Sequence, residues 1–553
     1  MTATTRDHDA VVIGAGFSGL ALLHHLREIG LDTIVVDGED GIGGTWWVNR
    51  YPGVRTDSEF SYYSFSFSKE VREEWTWTQR YPAGAEVLSY LNFVADRLDL
   101  RKDIRLNTRV DSAVYDEETN LWTVNLAGGE TLTTKYLISG MGVLSQAIYP
   151  DIPGIDSFQG EKYHTAHWPR EGVDLSGKKV GLIGLGASGI QIVPVIAPQV
   201  DEFFVFQRTP NFIVETNNEG VSTEEMQYVR DNYDEIYAKA AAHPFGVAME
   251  PAEFSALEVT PEKRREIFES KWNEGGFHFA NECFNDLATN HEASELASEF
   301  IRSKIREIVK DPATAELLSP TSYSFNGKRV PTGHGYYNTF NLEHVHLIDT
   351  DSTPITEITP KGVKVGDTEY ELDVIIFATG FDAMTGTLTN IDITGRGGRT
   401  LREKWAEEGL RSNLGINANG FPNFFMSLGP QTSYSNLVVP IQLGAQWLQR
   451  AIAWAEENGV ERFEATPASE EWWARETERT GKATVMYTEG KKAKAWFLGD
   501  NVPGKPEAFQ VYMGGGQVYQ EHCRQVEAEG YASFLASADA PSSSSETAQP
   551  VRA

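Results

Sequence analysis

Two glycine-rich turns constrain the fold of this chain more than any other part of its sequence. The first spans residues 14–19 (GAGFSG) and the second spans residues 184–189 (GLGASG). In each, the first glycine permits a tight turn, the second lets the backbone approach a pyrophosphate, and the third allows a helix to pack closely on a strand. The helix that follows presents unpaired N–H groups and its positive dipole end to phosphates. The chain is therefore expected to contain two dinucleotide cradles.

The first turn lies in a predicted strand–turn–helix–strand unit, the context in which a GxGxxG motif indicates dinucleotide binding. Residues 9–13 (DAVVI) predict a strand, residues 20–29 (LALLHHLREI) have helical spacing, and residues 32–36 (DTIVV) predict a second strand. Asp37 ends that strand, where a carboxylate can accept hydrogen bonds from a ribose diol. The candidate binding residues are Gly14, Gly16, Gly19 and Asp37.

The second turn has the same context but a different residue after its second strand. Residues 179–183 (KVGLI) and 202–206 (EFFVF) predict the two strands, and Arg208 and Thr209 follow. No carboxylate occupies the position that matches Asp37. A carboxylate there repels a 2′-phosphate, whereas an arginine pairs with it, so the second cradle is expected to prefer NADP. The alternative interpretation is that Arg208 is only a solvated surface charge.

Two dinucleotide sites in one chain indicate hydride transfer from NADPH to a flavin. A disulfide reductase would need a close cysteine pair, but only Cys283 and Cys523 occur, far apart and without CxxC spacing. Molecular oxygen is then the leading electron acceptor. The two cysteines also exclude a disulfide framework and a cysteine-rich metal site, so no metal is predicted.

The predicted fold class is α/β, with two Rossmann-like dinucleotide-binding domains, for FAD and NADP, and an inserted helical subdomain. The helical insertion is predicted from charged, helix-patterned sequence. The expected divisions are residues 7–145 and 382–535 for the discontinuous FAD-binding domain, 150–215 and 325–381 for the discontinuous NADP-binding domain, 216–324 for the insertion, and 538–553 for a disordered tail.

The net charge of −31, from 79 acidic and 48 basic residues, argues against partners that carry phosphate backbones or anionic lipids. We therefore expect neither nucleic-acid nor membrane binding. The N-terminal MTATTRDHDA lacks the pattern of a signal peptide, and no run of eighteen apolar residues occurs. A cytoplasmic protein is expected, as a monomer or weak homo-oligomer.

A pattern between the two turns carries a family resemblance. Residues 158–169 (FQGEKYHTAHWP), hereafter the fingerprint stretch, resemble the fingerprint of flavin-dependent Baeyer–Villiger monooxygenases of type I, class B, such as the cyclohexanone enzymes. The similarity extends over about residues 9–535 and includes residues 43–53, 378–382 and 496–505. The matching fingerprint residues are Phe158, Gly160, His164, Trp168 and Pro169. His164 is expected to act in linker geometry, as part of a hinge.

The resemblance implies cofactor contacts beyond the glycines. FAD is expected near Thr45, Trp46, Asp57 and Tyr63 as well as the first cradle. For NADPH, the implied residues are Gly184, Gly186, Ser188, Gly189 and Gln191, with the 2′-phosphate held by Arg208, Thr209 and Lys328. Trp496 matches a residue on a mobile loop that closes over NADP.

The resemblance also implies the reaction. NADPH reduces FAD, and O₂ then gives a C4a-peroxyflavin that attacks a ketone carbonyl; the resulting Criegee adduct rearranges to an ester or lactone. Arg329 is the implied catalytic arginine, positioned by Asp57, because a guanidinium stays charged and can stabilise anionic oxygen. Tyr434 and Leu437 match substrate-facing positions. The cyclohexanone enzymes commonly have phenylalanine at position 434 and a Pro-Pro pair where residues 438–439 stand, so only a ketone, with cyclic ketones favoured, is predicted.

Three alternatives stay open at this point. An N- or S-oxygenating flavin monooxygenase shares the fold and cofactors, although its related fingerprint normally lacks the Trp168-Pro169 ending. An NADPH oxidase or diaphorase would form peroxide with every ketone. A non-catalytic dinucleotide-binding protein would use both cradles without chemistry.

Overall fold

The computed structural model describes residues 6–433, 435–499, 501–502 and 505–537. The predicted tail at residues 538–553 and the predicted substrate residue Tyr434 lie outside the described residues. Strands in the described chain run as follows: β1 His8–Ile13, β2 Thr33–Val36, β3 Ile104–Arg105, β4 Val110–Asp116, β5 Leu121–Leu126, β6 Thr131–Ser139, β7 Glu161–His164, β8 Lys179–Ile183, β9 Glu202–Gln207, β10 Val214–Glu215, β11 Thr332–Gly333, β12 Val345–Asp349, β13 Ile355–Ile358, β14 Gly362–Val365, β15 Thr368–Glu371, β16 Val374–Phe377, β17 Asp392–Thr394, β18 Phe424–Met426, β19 Arg462–Ala465 and β20 Phe534–Ser537.

The α-helices of the described chain are interspersed with these strands. They are α1 Phe17–Glu28, α2 Thr45–Val48, α3 Lys69–Glu74, α4 Gly84–Arg97, α5 Ala187–Ile196, α6 Thr223–Asp231, α7 Tyr233–Ala242, α8 Pro261–Glu274, α9 Phe277–Glu282, α10 His291–Ile308, α11 Pro312–Leu318, α12 Tyr336–Thr339, α13 Thr385–Thr389, α14 Leu401–Glu408, α15 Val438–Glu457, α16 Pro467–Lys482, α17 Val485–Ala493 and α18 Gly516–Ala528.

The first sheet has the strand order β17-β4-β5-β6-β1-β2-β3, with β18 also paired to β6. Strand β1 lies between β2 and β6 and is parallel to both. The long β6 pairs antiparallel with β5 through its first half and parallel with β18 through its second half. Strand β1 and helix α1 therefore place the first cradle at the carboxyl end of a parallel core, where α/β sheets bind ligands.

The second sheet is fully parallel, in the order β12-β9-β8-β16-β7. Its strands are apolar and almost entirely buried at β8 and β16, as expected when both faces of a parallel sheet are covered. Strand β8 is central and leads directly into the second cradle, the same arrangement as in the first sheet.

The two ends of the helical insertion lie next to each other. Strand β10 precedes helices α6 to α11, strand β11 follows them, and the two strands pair in parallel. Local sequence explains several of the helix starts: Thr260 caps α8 before a proline at its first position, and Asn290 caps α10 through two backbone N–H groups. The predicted α/β class, with two Rossmann-like units and a helical insertion, is confirmed.

Two features differ from the sequence-based prediction. The fingerprint stretch, for which no strand was predicted, contributes strand β7 to the edge of the second sheet, because its backbone pairs with β16. Strands β13, β14 and β15 form an antiparallel sheet between β12 and β16 that the sequence analysis did not anticipate. Among the described residues, no helix has the length and apolar composition needed to cross a membrane.

Candidate functional site

The first glycine turn packs so tightly that only glycine fits at two of its positions. Gly14 has a φ of +105°, and a Cβ there would lie 2.6 Å from the Gly140 carbonyl oxygen. A Cβ at Gly19 would overlap the Gly14 carbonyl oxygen. Gly16 precedes α1, whose N-terminus receives no side-chain cap. The turn therefore leaves the N–H groups of α1 available to a phosphate group.

The other residues predicted to bind near this turn lie around it. Asp37 accepts hydrogen bonds from the backbone N–H of Ala15 (2.6 Å) and of Glu39 (2.8 Å), and burial raises the pKa of this carboxyl. Thr45 is exposed at the start of α2. The buried Trp46 ring meets the Tyr63 ring edge-on, with the two centroids 5.8 Å apart.

The second glycine turn repeats the geometry of the first. Gly184 has a φ of +101°, and a Cβ there would lie 2.5 Å from the Ala378 carbonyl oxygen. A Cβ at Gly189 would overlap the Gly184 carbonyl oxygen. Gly186 precedes α5, which again has no side-chain cap, and Ser188 lies partly buried in the first turn of that helix. The same stereochemical requirement thus operates in both cradles.

Two cations meet beside the second cradle. Arg208 is exposed at the end of β9, with the partly exposed Thr209 next to it. Burial, with a smaller contribution from the Arg208 charge, lowers the pKa of the Lys328 ammonium to about 8. In the part of the chain that the structure describes, the two cations have no carboxylate partner. A neighbouring pair of cations without a counter-ion is suited to a phosphate dianion.

The Asp57 carboxylate holds the Arg329 guanidinium. Arg329 Nη2 donates a hydrogen bond to Asp57 Oδ2, and Thr332 Oγ1 donates to Asp57 Oδ1 at 2.5 Å. The Asp57 side chain is 8% exposed and the Arg329 side chain 31%. The guanidinium carbon also lies 5.9 Å from the centroid of the Phe277 ring. A buried anion therefore orients a cation that is partly exposed.

Helix α5 of the second cradle contacts the same region of the first unit. Gln191 Nε2 donates to Asp57 Oδ1 at 3.4 Å and to the Arg55 carbonyl oxygen at 3.2 Å. Gln191 Oε1 accepts from the Tyr51 hydroxyl at 2.8 Å. The Asp57–Arg329 pair, together with Thr332, thus lies where the two nucleotide-binding units meet.

The fingerprint stretch is partly buried and contributes to the second sheet. Phe158 packs in the apolar layer with Phe377, and a Cβ at Gly160 would overlap the Asp373 carbonyl oxygen. Trp168 is buried against the second cradle's core, and Pro169 is partly buried. These contacts explain the use of Phe158, Gly160 and Trp168 in the stretch between the two turns.

Both ring nitrogens of His164, in this stretch, form hydrogen bonds with the backbone. Its Nδ1 accepts from the Ala166 N–H at 3.0 Å, and Nε2 lies 3.2 Å from the Ile148 carbonyl oxygen. Burial lowers the pKa of this imidazole to about 4, so the ring is neutral at physiological pH and Nε2 donates. His164 is fixed in strand β7 and lies beside Thr379, which follows β16.

The remaining predicted residues lie at the edges of the site. Trp496 is partly buried in a 3-10 turn and lies against Phe497, with the ring centroids 5.9 Å apart. Leu437 is 37% exposed immediately before α15. Their roles toward NADP and substrate stay predictions.

Two residues of the site, Thr332 and Phe277, were not predicted from the sequence. Thr332 carries no motif, and its contact with Asp57 joins residues 275 positions apart. Phe277 stands at the start of α9 in an aromatic run, a pattern that ordinary cores also show. Only the spacing of three residues between Arg329 and Thr332 could have suggested a shared partner.

Comparison with known proteins adds independent information. The pyridine nucleotide-disulphide oxidoreductase family model matches residues 11–229. A Baeyer–Villiger monooxygenase of Pseudooceanicola batsensis is 41% identical, covering 96% of each chain. The phenazine N-monooxygenase PhzNO1 of Lysobacter antibioticus is 40% identical, covering 97% of this chain and 98% of its own.

Solved structures agree over the same length. The crystal structure of OTEMO in complex with FAD and NADP has a TM-score of 0.92 and 38% identity, covering 97% of this chain and 100% of that one. The closed crystal structure of cyclohexanone monooxygenase has a TM-score of 0.93 and 39% identity, with the same coverage. The similarity thus extends over both cradles, the helical insertion and the residues that surround Arg329.

Proposed function

The chain belongs to the flavin-dependent Baeyer–Villiger monooxygenases, and we propose that its ketone-oxidising centre is the Asp57–Arg329 pair. The reaction is the NADPH- and O₂-dependent oxidation of ketones to esters or lactones, and cyclic ketones are the substrate class that we propose. The observation that carries the proposal is a partly exposed guanidinium, held by a buried carboxylate, at the contact between two dinucleotide cradles.

The residues present fit both cofactors. The first cradle, with Asp37 and the Trp46–Tyr63 wall, would hold FAD, and the second cradle, with Arg208, Thr209 and Lys328, would hold NADPH. When bound, reduced FAD supplies the activated oxygen that is inserted beside the ketone carbonyl. Gly16 and Gly186 leave the phosphate-facing helix termini uncapped, which is what a pyrophosphate requires.

Arg329 would stabilise the negative charge that develops on oxygen during the insertion. A guanidinium keeps its charge across the working pH range, so it can do this without a proton transfer. Asp57 fixes its orientation, and Thr332 together with Gln191 fixes Asp57 in turn. The apolar Phe277 ring beside the guanidinium excludes water on one side, which strengthens the interaction with an anion.

The test is product analysis with NADPH, isotopically labelled O₂ and a panel of cyclic, linear and aryl ketones. The proposal predicts an ester or lactone with one labelled oxygen atom, and it predicts the best turnover with cyclic ketones. Hydrogen peroxide in an amount equal to the NADPH consumed, with every ketone unchanged, would contradict it. A better turnover of linear or aryl ketones would contradict only the proposed substrate class.

A second candidate function is N-oxygenation of an aromatic heterocycle. The phenazine N-monooxygenase is nearly as similar to this chain as the Baeyer–Villiger relative is, which favours including this reaction in the test. Aromatic nitrogen heterocycles, amines and sulfides therefore form a second panel. An N-oxide as the sole product, with no ester from any ketone, would replace the first function with this one.

We also propose a cytoplasmic protein that is a monomer or weak homo-oligomer and does not bind nucleic acid. For the oligomeric state and the lack of nucleic-acid binding, the support is the net charge of −31, which opposes association with phosphate backbones and with further copies of the chain. The predicted division into FAD-binding, NADP-binding and helical segments is proposed with the same boundaries.

A further inference from the structure

A charged cluster lies next to the Asp57–Arg329 pair and is used by none of the steps above. The His278 imidazole, on helix α9, has a carboxylate on each ring nitrogen. Its Nδ1 lies 2.9 Å from Glu282 Oε2, and its Nε2 lies 3.1 Å from Glu59 Oε1. Glu282 belongs to the same helix, whereas Glu59 belongs to the first nucleotide-binding unit. His278 therefore connects the helical insertion to that unit.

This geometry requires a charged ring. A carboxylate only accepts hydrogen bonds, so both ring nitrogens must carry a proton to bind Glu59 and Glu282 together. Burial alone would lower the pKa of this imidazole, but the hydrogen bonds to the two carboxylates outweigh it and raise the pKa to about 9. The ring is thus an imidazolium across the neutral range.

Glu59 and His278 are each within two residues of a side chain that contacts Arg329. Glu59 stands two positions after Asp57, which binds the guanidinium. Phe277 immediately precedes His278, and its ring lies beside the same guanidinium. A shift of α9 away from the segment that carries Asp57 and Glu59 would therefore separate the two groups that flank Arg329.

We propose that the His278 imidazolium is a positioning group for Arg329. By joining Glu59 to α9, it holds the Asp57 carboxylate and the Phe277 ring at fixed separation on two sides of the guanidinium. The proposal rests on the function proposed above, because Arg329 matters only if it stabilises charge during ketone oxidation.

The surrounding charges explain why loss of one proton matters. The groups that face His278 or its partners are Glu59, Glu274, Glu282, Lys271 and the Tyr81 hydroxyl, which donates to Glu59 at 3.5 Å. Lys271 Nζ lies 2.8 Å from both Glu274 and Glu282, so this cation pairs with the carboxylates of α8 and α9, and no such contact joins it to Glu59 among the described residues. With a neutral ring, Glu59 loses its cationic partner while staying partly buried, and the connection weakens.

The direction of the pH effect follows from the raised pKa. A histidine whose pKa is higher in the folded protein contributes fully below its unfolded value, and the contribution is lost as pH rises through the folded value. The connection is therefore intact at neutral pH and weakens as pH passes about 9.

The test compares the holoenzyme with His278→Gln, which stays neutral, and His278→Arg, which stays charged. His291→Gln, at a surface histidine of α10, is the matched control. Ester formed per NADPH consumed is measured from about pH 7 to about pH 10, because this ratio does not depend on how well NADPH binds. FAD content and melting temperature show whether each variant is folded.

We expect the wild-type ratio to fall as pH passes about 9. For His278→Gln we expect a ratio about tenfold lower than wild type near neutral pH, since one charged hydrogen bond is lost, and the difference should shrink as pH passes about 9 and the wild-type ring loses its charge. His278→Arg should keep the ratio to the highest pH, and His291→Gln should match wild type. Equal ratios and equal pH profiles for wild type and His278→Gln would overturn the proposal, as would an unchanged high-pH loss in His278→Arg.

A second readout separates this proposal from the proposed function. After correction for the intrinsic pH dependence, the hydrogen-exchange rate of the α9 amides should rise above about pH 9 in wild type. In His278→Arg the corrected rate should stay constant with pH. If this exchange pattern is observed but no ketone gives an ester, the proposed ketone oxidation is refuted, whereas the proposed role of His278 in joining Glu59 to α9 is supported. Identical exchange in wild type and His278→Gln would refute the connection whatever the products are.

Discussion

At the scale of the residue, the Arg208 guanidinium and the Lys328 ammonium are two neighbouring cations suited to binding an anion. The low pKa of Lys328 results from burial and from the nearby Arg208 charge, and in the described part of the chain neither cation has a carboxylate partner. On our proposal a 2′-phosphate would supply the missing countercharge, because it can accept hydrogen bonds from both groups. The repulsion between the two neighbouring cations would then be relieved by NADPH and not by NADH.

Arg208→Ala should therefore raise KM for NADPH and leave KM for NADH nearly unchanged. Loss of a charged hydrogen bond corresponds to roughly a 10- to 100-fold effect. Initial-rate measurements with both nucleotides check this, and Arg265→Ala, on the exposed side of α8, is a control for loss of a surface charge. Equal increases for the two nucleotides would show that Arg208 does not contact the phosphate.

The pH dependence of NADPH binding belongs to the same residue scale. Because the Lys328 pKa of about 8 lies far below that of a free lysine, the cation is lost in the free protein as pH rises through that value. KM for NADPH should increase between about pH 7 and about pH 9.5, whereas KM for NADH should not. Lys328→Arg should flatten the increase, since arginine keeps its charge. An NADH dependence equal to that of NADPH would contradict the assignment.

At the scale of the element, both cradles depend on a helix that touches the turn before it. Gly19 and Gly189 each leave no room for a Cβ, which would overlap the carbonyl oxygen of the first glycine in the same turn. The α1 and α5 helices also start without a side-chain cap, because their N-cap residues are Gly16 and Gly186, and this arrangement costs stability unless a ligand uses the free N–H groups.

Gly19→Ala should lower FAD content, and Gly189→Ala should weaken NADPH binding while FAD stays bound. Overpacking of this kind costs about 1–3 kcal/mol. Gly444→Ala is the control, because that glycine lies within α15 and a Cβ there meets nothing within 4 Å. Flavin absorbance after purification and nucleotide titration provide the measurements. Full FAD content in Gly19→Ala would show that the turn tolerates a side chain.

Local sequence was sufficient to predict the parallel cores. Strand β8 was predicted at residues 179–183 and forms there, because a short apolar run before a glycine turn has few other uses. Strand β7 was not predicted, since its EKYH sequence is polar and becomes a strand only by pairing with β16, far along the chain. The same limit hid Thr332 and the Glu59–His278 contact, which joins residues 219 positions apart.

At the scale of the whole molecule, Gln191 contributes several of the polar contacts that connect the two cradles. Gln191 on α5 accepts from the Tyr51 hydroxyl and donates to the Arg55 carbonyl and to Asp57. A Cβ at Gly53 would overlap the Gln191 carbonyl oxygen, so the loop lies directly on the helix. Electron transfer between two cofactors requires this kind of fixed placement.

Gln191→Leu should slow reduction of the flavin by NADPH by roughly fivefold, since hydrogen bonds that align the two units are lost. The preference for NADPH over NADH should persist because Arg208 is untouched. Gln199→Leu, at an exposed position just beyond α5, is the matched control. Rapid-mixing absorbance of the flavin gives the rate. An unchanged rate with correct folding would show that the cradles are aligned by other contacts.

The most direct test of the central claim separates electron delivery from oxygen insertion in Arg329→Ala, with Arg329→Lys alongside. We predict that NADPH still reduces the flavin in Arg329→Ala at a rate within about threefold of wild type, while ester formation falls by at least about 100-fold. Arg329→Lys should recover part of the ester, because it restores the charge without the planar hydrogen-bonding geometry. Normal ester output from Arg329→Ala would contradict the account, since it would show that the guanidinium held by Asp57 has no part in the reaction.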